Sequence, residues 1–343
     1  ASPDPMSFLF SSKGNLIAGI VLAAVSLGLK FYTAKKESAV GHQRKKVKTY
    51  PHMRVADVAV IAAGGGFAGA KIFNALETWQ DFVRDPLGSL LSSSGLTFYG
   101  GLIVATFALW YYARRIKLDF RYLCDAAAPA LIIGYAIGRL GCQVSGDGDW
   151  GIYNSAYITN AAGKVEATSQ PFELSVKQHE EHVYRHFERN EVIPHASFKA
   201  FGGLPLWLFA YNYPKNVNHV GEPLANCEGE YCNVLPIPVF PTPVYEFLMC
   251  SLIFVILWSL RKRFDTPLSM FSIYLMLNGI ERFLIEQIRV NSTYDWGFMH
   301  PTQAEIIAVI MFICGGMMFA LRKKIDANIE PYTQPSIVTT NNA

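Results

Sequence analysis

Long apolar blocks separated by short basic stretches constrain this chain more than any other feature of its sequence. Each block approaches the ~20 residues that a helix needs to cross the hydrocarbon core of a bilayer. In lipid the backbone must bond to itself, and blocks of this length are too long for barrel strands. A charged content of 17% lies below the ~25% of an average soluble domain and agrees with this interpretation. The sequence predicts an all-α membrane protein with about seven transmembrane helices, over residues 15–31, 55–76, 96–113, 123–141, 244–260, 268–285 and 302–321.

Basic residues fill every second connection between these blocks, at 30–54, 114–121, 261–263 and 322–324. The positive-inside rule places these connections in the cytoplasm, so the N-terminus is expected outside and the C-terminus inside. The domains predicted are helices one to four in 1–143, an extracytoplasmic insertion in 144–240 and helices five to seven in 241–325. Residues 326–343 are polar and are expected to form a disordered cytoplasmic tail. The net charge of +3 then reflects orientation, and no nucleic-acid partner is expected.

Several ionisable or polar side chains fall near the outer ends of the predicted helices. A charge within a spanning helix costs up to ~2.5–3.5 kcal/mol on insertion scales, so these residues require an explanation. They are Tyr99, Arg139, Asp147, Glu246, Arg282, Glu286 and Arg289. Arg282, Glu286 and Arg289 are spaced i, i+4 and i+7, so they share one helical face. Guanidinium groups present a planar fork to phosphate oxygens. The pattern predicts an anion site at headgroup depth, with Glu286 holding the arginines.

Three other functions remain open at this point. The arginines could merely pair with acids or extend to the interface. They could line the pathway of a transporter or lipid translocator. They could also belong to a protein that binds phospholipid without catalysing a reaction. Transporters usually bind near the midplane and contain repeats or broken helices. Here the charges lie at one face and no internal repeat is visible.

A signature stretch lies at the end of predicted helix four. It reads Gly138-Arg139-Leu140-Gly141-Cys142-Gln143-Val144-Ser145-Gly146-Asp147. It resembles the motif of the bacterial prolipoprotein diacylglyceryl transferase family, roughly Gly-Arg-x-Gly-Asn-x-x-Asn-Gly-Glu. The segments 69–86, 96–102, 241–246 and 282–289 resemble further pieces of that family in the same order.

The resemblance implies an enzyme of the bacterial inner membrane that takes the diacylglyceryl group of phosphatidylglycerol. It attaches this group to the lipobox cysteine thiol of a prolipoprotein, and glycerol phosphate leaves. The partners implied are phosphatidylglycerol, the lipobox segment and membrane lipids, and the reaction requires no cofactor or metal. Fixed cations would stabilise the charge that develops on the departing phosphate.

The resemblance also implies roles for individual residues. The catalytic set predicted is Tyr99, Arg139, Arg282 and Glu286. The residues predicted to bind phosphatidylglycerol are Arg139, Arg282, Arg289, Cys142, Ser145, Asp147, Tyr245 and Glu246. Tyr99 stands where the family often has histidine, and tyrosine with a pKa of ~10 is a poor base. The general base is therefore open between Glu286 and Asp147.

The insertion offers three further features. Cys227 and Cys232 lie between polar and glycine-rich sequence on the expected outer side, so they form either a local disulfide or two free thiols. His179, His182 and His186 share a helical spacing but lack the His-Glu-x-x-His metal pattern, which favours a solvated helix. The apolar patch 204–209 is too short to span a membrane, and it lies either in the interface or in a small core of the insertion.

Overall fold

The computed structural model describes residues 43–49, 51–92, 95–184, 187, 192–225, 227–291, 293, 294, 297, 299–326 and 336–342. The described part is mostly helical, and the chain divides into two compact units. The first unit comprises Ala1–Phe120 and Glu330–Ala343, and the second comprises Arg121–Ile329. Predicted helix one, over residues 15–31, lies outside the described residues.

The first unit is built around two long helices, α1 (Val55–Glu77) and α4 (Phe98–Arg115), joined by the short helices α2 (Trp79–Arg84) and α3 (Pro86–Leu91). Glycines let the two long helices approach closely. A Cβ atom added at Gly69 would lie 2.4 Å from the Gly100 carbonyl oxygen, and one at Gly100 would lie 2.3 Å from Cβ of Phe73. Small residues at such contacts are typical of helix pairs in lipid.

The first unit also contains a two-stranded antiparallel sheet, in which β1 (Gln43–Thr49) pairs with a strand near the C-terminus, Ser336–Asn342. Val47 lies opposite Val338 in this register. The prediction of a disordered tail is therefore wrong for this segment. Its run of Ile337, Val338, Thr339 and Thr340 is β-branched and favours an extended strand once a partner is present.

The second unit contains the remaining long helices, α5 (Phe120–Ser145), α8 (Thr242–Leu260), α9 (Ser269–Glu286) and α10 (Gln303–Asp326). A buried core shared by α5, α8 and α9 consists of Ile132, Ala136, Cys250, Ile253, Leu257 and Met270. Helix α9 begins at a carboxylate from another helix, because the backbone N–H of Phe271 donates to Asp125 at 2.8 Å. In α9 and α10, Gly279 and Gly315 allow close backbone contact.

Between α5 and α8 the chain forms short elements. They are β2 (Tyr153–Asn154), β3 (Tyr157–Thr159), β4 (Val165–Ala167), α6 (Phe172–Gln178), α7 (Glu180–Val183), β5 (His195–Ala196), a 3-10 turn at Leu206–Leu208, β6 (Glu222–Pro223) and β7 (Asn233–Val234). The pairs β3–β4 and β6–β7 are antiparallel, and β2–β5 is parallel. The C-terminal strand Ser336–Asn342 is accordingly β8.

Buried side chains hold this segment together. Phe172, Val176 and Ile237 form a small core, and Cys227 and Cys232 are joined in a disulfide with Cα atoms 5.6 Å apart. His179 contacts Glu222 at 2.5 Å and ends α6, whereas His182 lies in α7, so these two histidines do not lie within one continuous helix. His186 lies outside the described residues.

Four of the described helices are long and apolar enough to cross a membrane: Val55–Glu77, Phe120–Ser145, Thr242–Leu260 and Gln303–Lys324. Many of their large apolar side chains face outward, including Leu248, Leu252 and Val255 on α8. Outward apolar side chains on long helices suit lipid rather than water. The fold is therefore that of a mostly helical membrane protein.

Candidate functional site

The site lies where three helices of the second unit end. Helix α5 contributes Arg139 from its last turns, α8 contributes Glu246 from its first turns, and Arg282 and Glu286 come from the last turn of α9. Arg139 lies more than one hundred residues before the other three in sequence, and the packing of α5 against α8 and α9 brings them together. Three of the four residues predicted as catalytic therefore lie within one cluster.

Glu246 is the centre of this cluster, because it is fully buried and contacts all three arginines. Its Oε2 accepts a hydrogen bond from the Tyr135 hydroxyl at 2.8 Å and lies 2.5 Å from Nε of Arg139. Its Oε1 lies 3.2 Å from Arg289 and 3.9 Å from Arg282. A buried carboxylate is stable only when it is paired and hydrogen-bonded in this way.

Asp149 completes a second bridge between two of the arginines. Its Oδ2 pairs with Arg139, and its Oδ1 lies 2.5 Å from Arg289. Burial would raise the pKa of the Asp149 carboxyl, but the guanidinium groups of Arg289 and Arg139 outweigh it and hold that pKa below its ordinary value. Asp149 therefore remains negative and fixes both guanidinium groups.

Backbone contacts hold Asp149 in place. The Thr242 hydroxyl donates to the Asp149 carbonyl oxygen at 2.8 Å. Gly151 forms a bridge with Arg289, and the N–H groups of Gly151 and Ile152 donate at 2.9 Å to the carbonyl oxygens of Phe240 and Ile288. The segment after α5 is thus bonded to the entry of α8 and to the chain after α9.

Arg282 is held much more loosely than the other two arginines. Its two ion pairs, with Glu246 and Glu286, are both 3.9 Å long. Its side chain is 27% exposed, against 16% for Arg139 and 9% for Arg289. A guanidinium with long pairs and open surface retains bonding capacity for an incoming anion.

The spacing predicted that Glu286 holds both Arg282 and Arg289, but in the structure it pairs only with Arg282 of these two. It lies 3.9 Å from Arg282, and its Oε1 accepts a hydrogen bond from Asn291 at 2.5 Å. Arg289 turns instead toward Asp149 and Glu246. The helix ends at Glu286, so Arg289 leaves the helical face on which the i+7 spacing would have placed it.

Among the other predicted residues, Asp147 is exposed and accepts a 3.3 Å bond from the Asp149 N–H. Cys142 lies 3.9 Å from Arg139, and the Ser145 hydroxyl donates to the Cys142 carbonyl oxygen. The Tyr245 hydroxyl donates to the carbonyl oxygen of Leu208 at 2.5 Å, away from the arginines. Their predicted roles in lipid binding remain predictions.

Tyr99 lies in the first unit, in the first turn of α4. Its ring packs edge-on against Phe98, with centroids 5.8 Å apart, and about half of the residue is exposed. Its predicted catalytic role therefore remains a prediction.

Sequence reasoning missed several residues at the cluster, among them Tyr135, whose hydroxyl bonds to Glu246. Asp149 belongs to a repeated Gly-Asp pair, Gly146-Asp147-Gly148-Asp149, and the repeat was the signal that a second acid competes for the motif position. Glu281 is buried, and within the described residues neither of its oxygens has a hydrogen-bond partner. No sequence signal indicated this, because Glu281 lies off the face shared by Arg282 and Glu286.

Cys142, Asp147 and Asp149 offer ligand atoms within 4.8 Å of one another. Asp149 has both oxygens engaged by guanidinium groups. A metal cation bound there would lie beside two positive charges, so the electrostatics suit an anion better.

Fold and site together define a membrane protein with a cluster of three arginines and their carboxylate partners at the ends of its helices. A family model described as prolipoprotein diacylglyceryl transferase matches residues 16–321. Proteins named phosphatidylglycerol–prolipoprotein diacylglyceryl transferase are similar to the chain. The one from Dehalococcoides mccartyi is 24% identical over 96% of this chain and 98% of its own. The one from Leptospira interrogans is 29% identical over 66% of this chain and 59% of its own, and that from Chlorobaculum tepidum is 24% identical over 78% and 73%.

This chain belongs to the prolipoprotein diacylglyceryl transferase family.

Proposed function

We propose that the chain transfers the diacylglyceryl group of phosphatidylglycerol to the lipobox cysteine of prolipoproteins, the first step of bacterial lipoprotein maturation. Family membership and the names of its relatives support this activity. The observation that carries it is the convergence of Arg139, Arg282 and Arg289 on Glu246 at the ends of three helices.

In this reaction the thiolate sulfur forms a bond with the terminal glycerol carbon of the diacylglyceryl group. The bond from that carbon to the phosphate oxygen breaks, its electron pair stays on the oxygen, and glycerol phosphate departs. Negative charge therefore grows on the phosphate in the transition state. Cations already fixed at that position stabilise the transition state more than the ground state.

The arginines divide this task. Arg282, with its long ion pairs, is the first contact for the phosphate. Arg139 approaches from α5 across the shared Glu246, and Arg289 supports both through Asp149 and Glu246. The fixed pair supplies a preorganised positive field, whereas the loose arginine supplies the bidentate grip.

Glu286 is our candidate for the base that takes the thiol proton. Within the described residues its Oε2 has no hydrogen-bond partner, although Arg282 lies 3.9 Å away. Protonation of Glu286 would remove its charge and free Arg282 for the phosphate at the moment when the phosphate becomes more negative. Asp147, the other candidate, is exposed and accepts a hydrogen bond from the Asp149 N–H.

The variant Glu286→Gln tests the proton transfer. The glutamine oxygen can still accept the hydrogen bond from Asn291, but the side chain cannot act as a base. We expect activity to fall at neutral pH and to recover in part as the pH approaches the thiol's own pKa of ~8.5, where thiolate forms unaided. Asp147→Asn is the matched control. A loss in Glu286→Gln that is the same at every pH would assign Glu286 a positioning role.

We further propose seven transmembrane helices in the bacterial inner membrane, with the N-terminus outside, the C-terminus in the cytoplasm and the insertion 144–240 on the outer face. The basic connections at 114–121, 261–263 and 322–324 support this orientation. Helices α4 and α9, of 18 residues each, fall on predicted spans and support the higher count. The site then lies at the outer leaflet, where lipobox segments emerge.

Mass spectrometry of a lipobox peptide tests the activity directly. The purified chain is incubated with the peptide and phosphatidylglycerol, and a diacylglyceryl mass gain on the cysteine is the expected result. Arg139→Ala and Arg282→Ala should abolish the gain, whereas Arg84→Ala, at an exposed arginine, should not. Full activity in both site variants would refute the proposal that the arginines bind the phosphate. No mass gain with the wild-type chain would indicate a family member that binds phospholipid without transferring the diacylglyceryl group.

A further inference from the structure

A loop of the second unit exposes a patch of large apolar side chains. It runs from Phe198 to Phe209, and we call it the aromatic loop. Phe201 is 61% exposed, Leu204 49% and Trp207 48%. Gly202 and Gly203, both with positive φ, form the turn beside them. Exposed apolar side chains grouped in this way mark an interaction surface.

The base of the aromatic loop is fixed, so the patch is presented at a defined place. The side-chain amide of the fully buried Asn154 donates to the carbonyl oxygens of Phe198 and Phe209 at 2.8 and 2.9 Å, and its oxygen accepts from the Phe198 N–H. The Tyr157 hydroxyl accepts a 2.7 Å bond from the Ala200 N–H. Both ends of the loop are thus anchored, while Phe201, Leu204 and Trp207 between them are exposed.

A hydrogen bond joins the loop to the start of a candidate membrane span. Tyr245, in the first turn of the candidate membrane span α8, donates to the Leu208 carbonyl oxygen at 2.5 Å. Residues three, seven and ten positions after Tyr245 on the same face are Leu248, Leu252 and Val255, and all three are exposed. The loop is therefore continuous with the lipid-facing stripe of α8 at its N-terminal end.

The composition of the loop suits a lipid interface better than a soluble partner. No acidic side chain occurs between Glu191 and Glu222, and Lys199 lies within the loop. Tryptophan and other aromatic residues are enriched where a membrane meets water, and lysine is attracted to anionic headgroups. Phosphatidylglycerol is such an anionic lipid.

We propose that the aromatic loop inserts Phe201, Leu204 and Trp207 into the membrane interface at the N-terminal end of α8, in the outer leaflet of the topology given above. The lipid surface is its partner. The loop would fix the outer segment against the bilayer and hold the chain between α5 and α8 at headgroup level. This inference rests on the placement of α8 in a membrane and does not depend on the transferase activity.

Tryptophan quenching by brominated lipid tests the insertion in the full chain. The protein is reconstituted into phosphatidylglycerol vesicles whose acyl chains carry bromine close to the headgroup. The chain has 6 tryptophans, so the readout is the difference between wild type and Trp207→Phe, which should lose one component of the quenching. In the Trp207→Phe background, Leu204→Trp should restore that component. Ala161→Trp, at the exposed polar turn between β3 and β4, should not restore it.

Two results would overturn the proposal. One is equal quenching in wild type and Trp207→Phe together with no gain from Leu204→Trp. The other is a Trp207 that brominated lipid does not quench but whose emission changes when a lipobox peptide is added. That result would make the loop a peptide-docking surface. Thermal denaturation of each variant checks that the fold is retained.

Discussion

Asp149 provides the sharpest test of the site, because it bonds to two of the arginines, whereas the motif residue Asp147 was the acid that the sequence predicted there. The perturbation is Asp149→Asn, which keeps the side-chain shape and removes the charge. Asp149 bonds to Arg139 and Arg289, and one hydrogen bond to a charged group contributes about 1.5–3 kcal/mol. Because the side chain is 35% exposed, solvent screens part of this, and we assign about 2–3 kcal/mol to both bonds together.

That energy holds two guanidinium groups in the geometry that the transition state requires. If this ~2–3 kcal/mol is lost from the stabilisation of the transition state, at about 1.36 kcal/mol per tenfold change, the rate falls roughly 30- to 150-fold. Asp147→Asn, two residues away and exposed, should change the rate less than about threefold, because its carboxylate bonds to no arginine in the cluster. The assay is the initial rate of diacylglyceryl transfer to a lipobox peptide.

The dependence on pH follows from the sign of the pKa shift. The pKa of Asp149 lies below its ordinary value of 3.8, so its stabilising contribution is fully present above that value. The contribution is lost only as the pH falls through the lowered pKa. Changes of activity between pH 6 and 8 should therefore be the same in wild type and Asp149→Asn. A rate within about threefold of wild type for Asp149→Asn, with a larger loss in Asp147→Asn, would refute the arrangement.

Three further predictions concern stability and roles. Glu246→Leu should lower the apparent melting temperature in detergent strongly, since breaking a buried ion pair costs about 3–5 kcal/mol. Glu281→Leu should leave it unchanged or raise it, because the Glu281 carboxylate accepts no hydrogen bond from the described residues; equal losses would contradict this. Replacing Cys227 and Cys232 by serine removes about 2 kcal/mol of chain restraint and should increase limited proteolysis between α5 and α8 while transfer activity persists. Tyr99→Phe should retain partial activity in the peptide assay, and complete loss with a normal melting curve would indicate proton transfer.

The membrane helices could be predicted from sequence because lipid imposes a single simple demand. A span must be long, apolar and helical, and helices occupy the predicted spans in the described part of the chain. The strand β8 could not be found in this way. Its partner β1 lies almost three hundred residues earlier, and a polar β-branched segment carries no signal of a distant partner.

The arginines of the site could also be predicted, because a charge in an apolar helix requires a reason. Their individual partners could not. Helical spacing places Glu286 near Arg282 and Arg289 only if the helix continues, and here it ends at Glu286. The choice between Asp147 and Asp149 depends on how the loop after α5 bonds to residues 240 and 288, which are far away in sequence.

These partners explain why three similar side chains are unequal. Glu246 and Asp149 together carry two negative charges, and they bind Arg139 and Arg289 at close range. Those two arginines are therefore held rigidly in place, which suits a preorganised field more than a direct grip. The third arginine shares Glu246 only at 3.9 Å, because both carboxylate oxygens are already engaged by Tyr135, Arg139 and Arg289. Arg282 is available to a phosphate because Glu246 is saturated by its other partners.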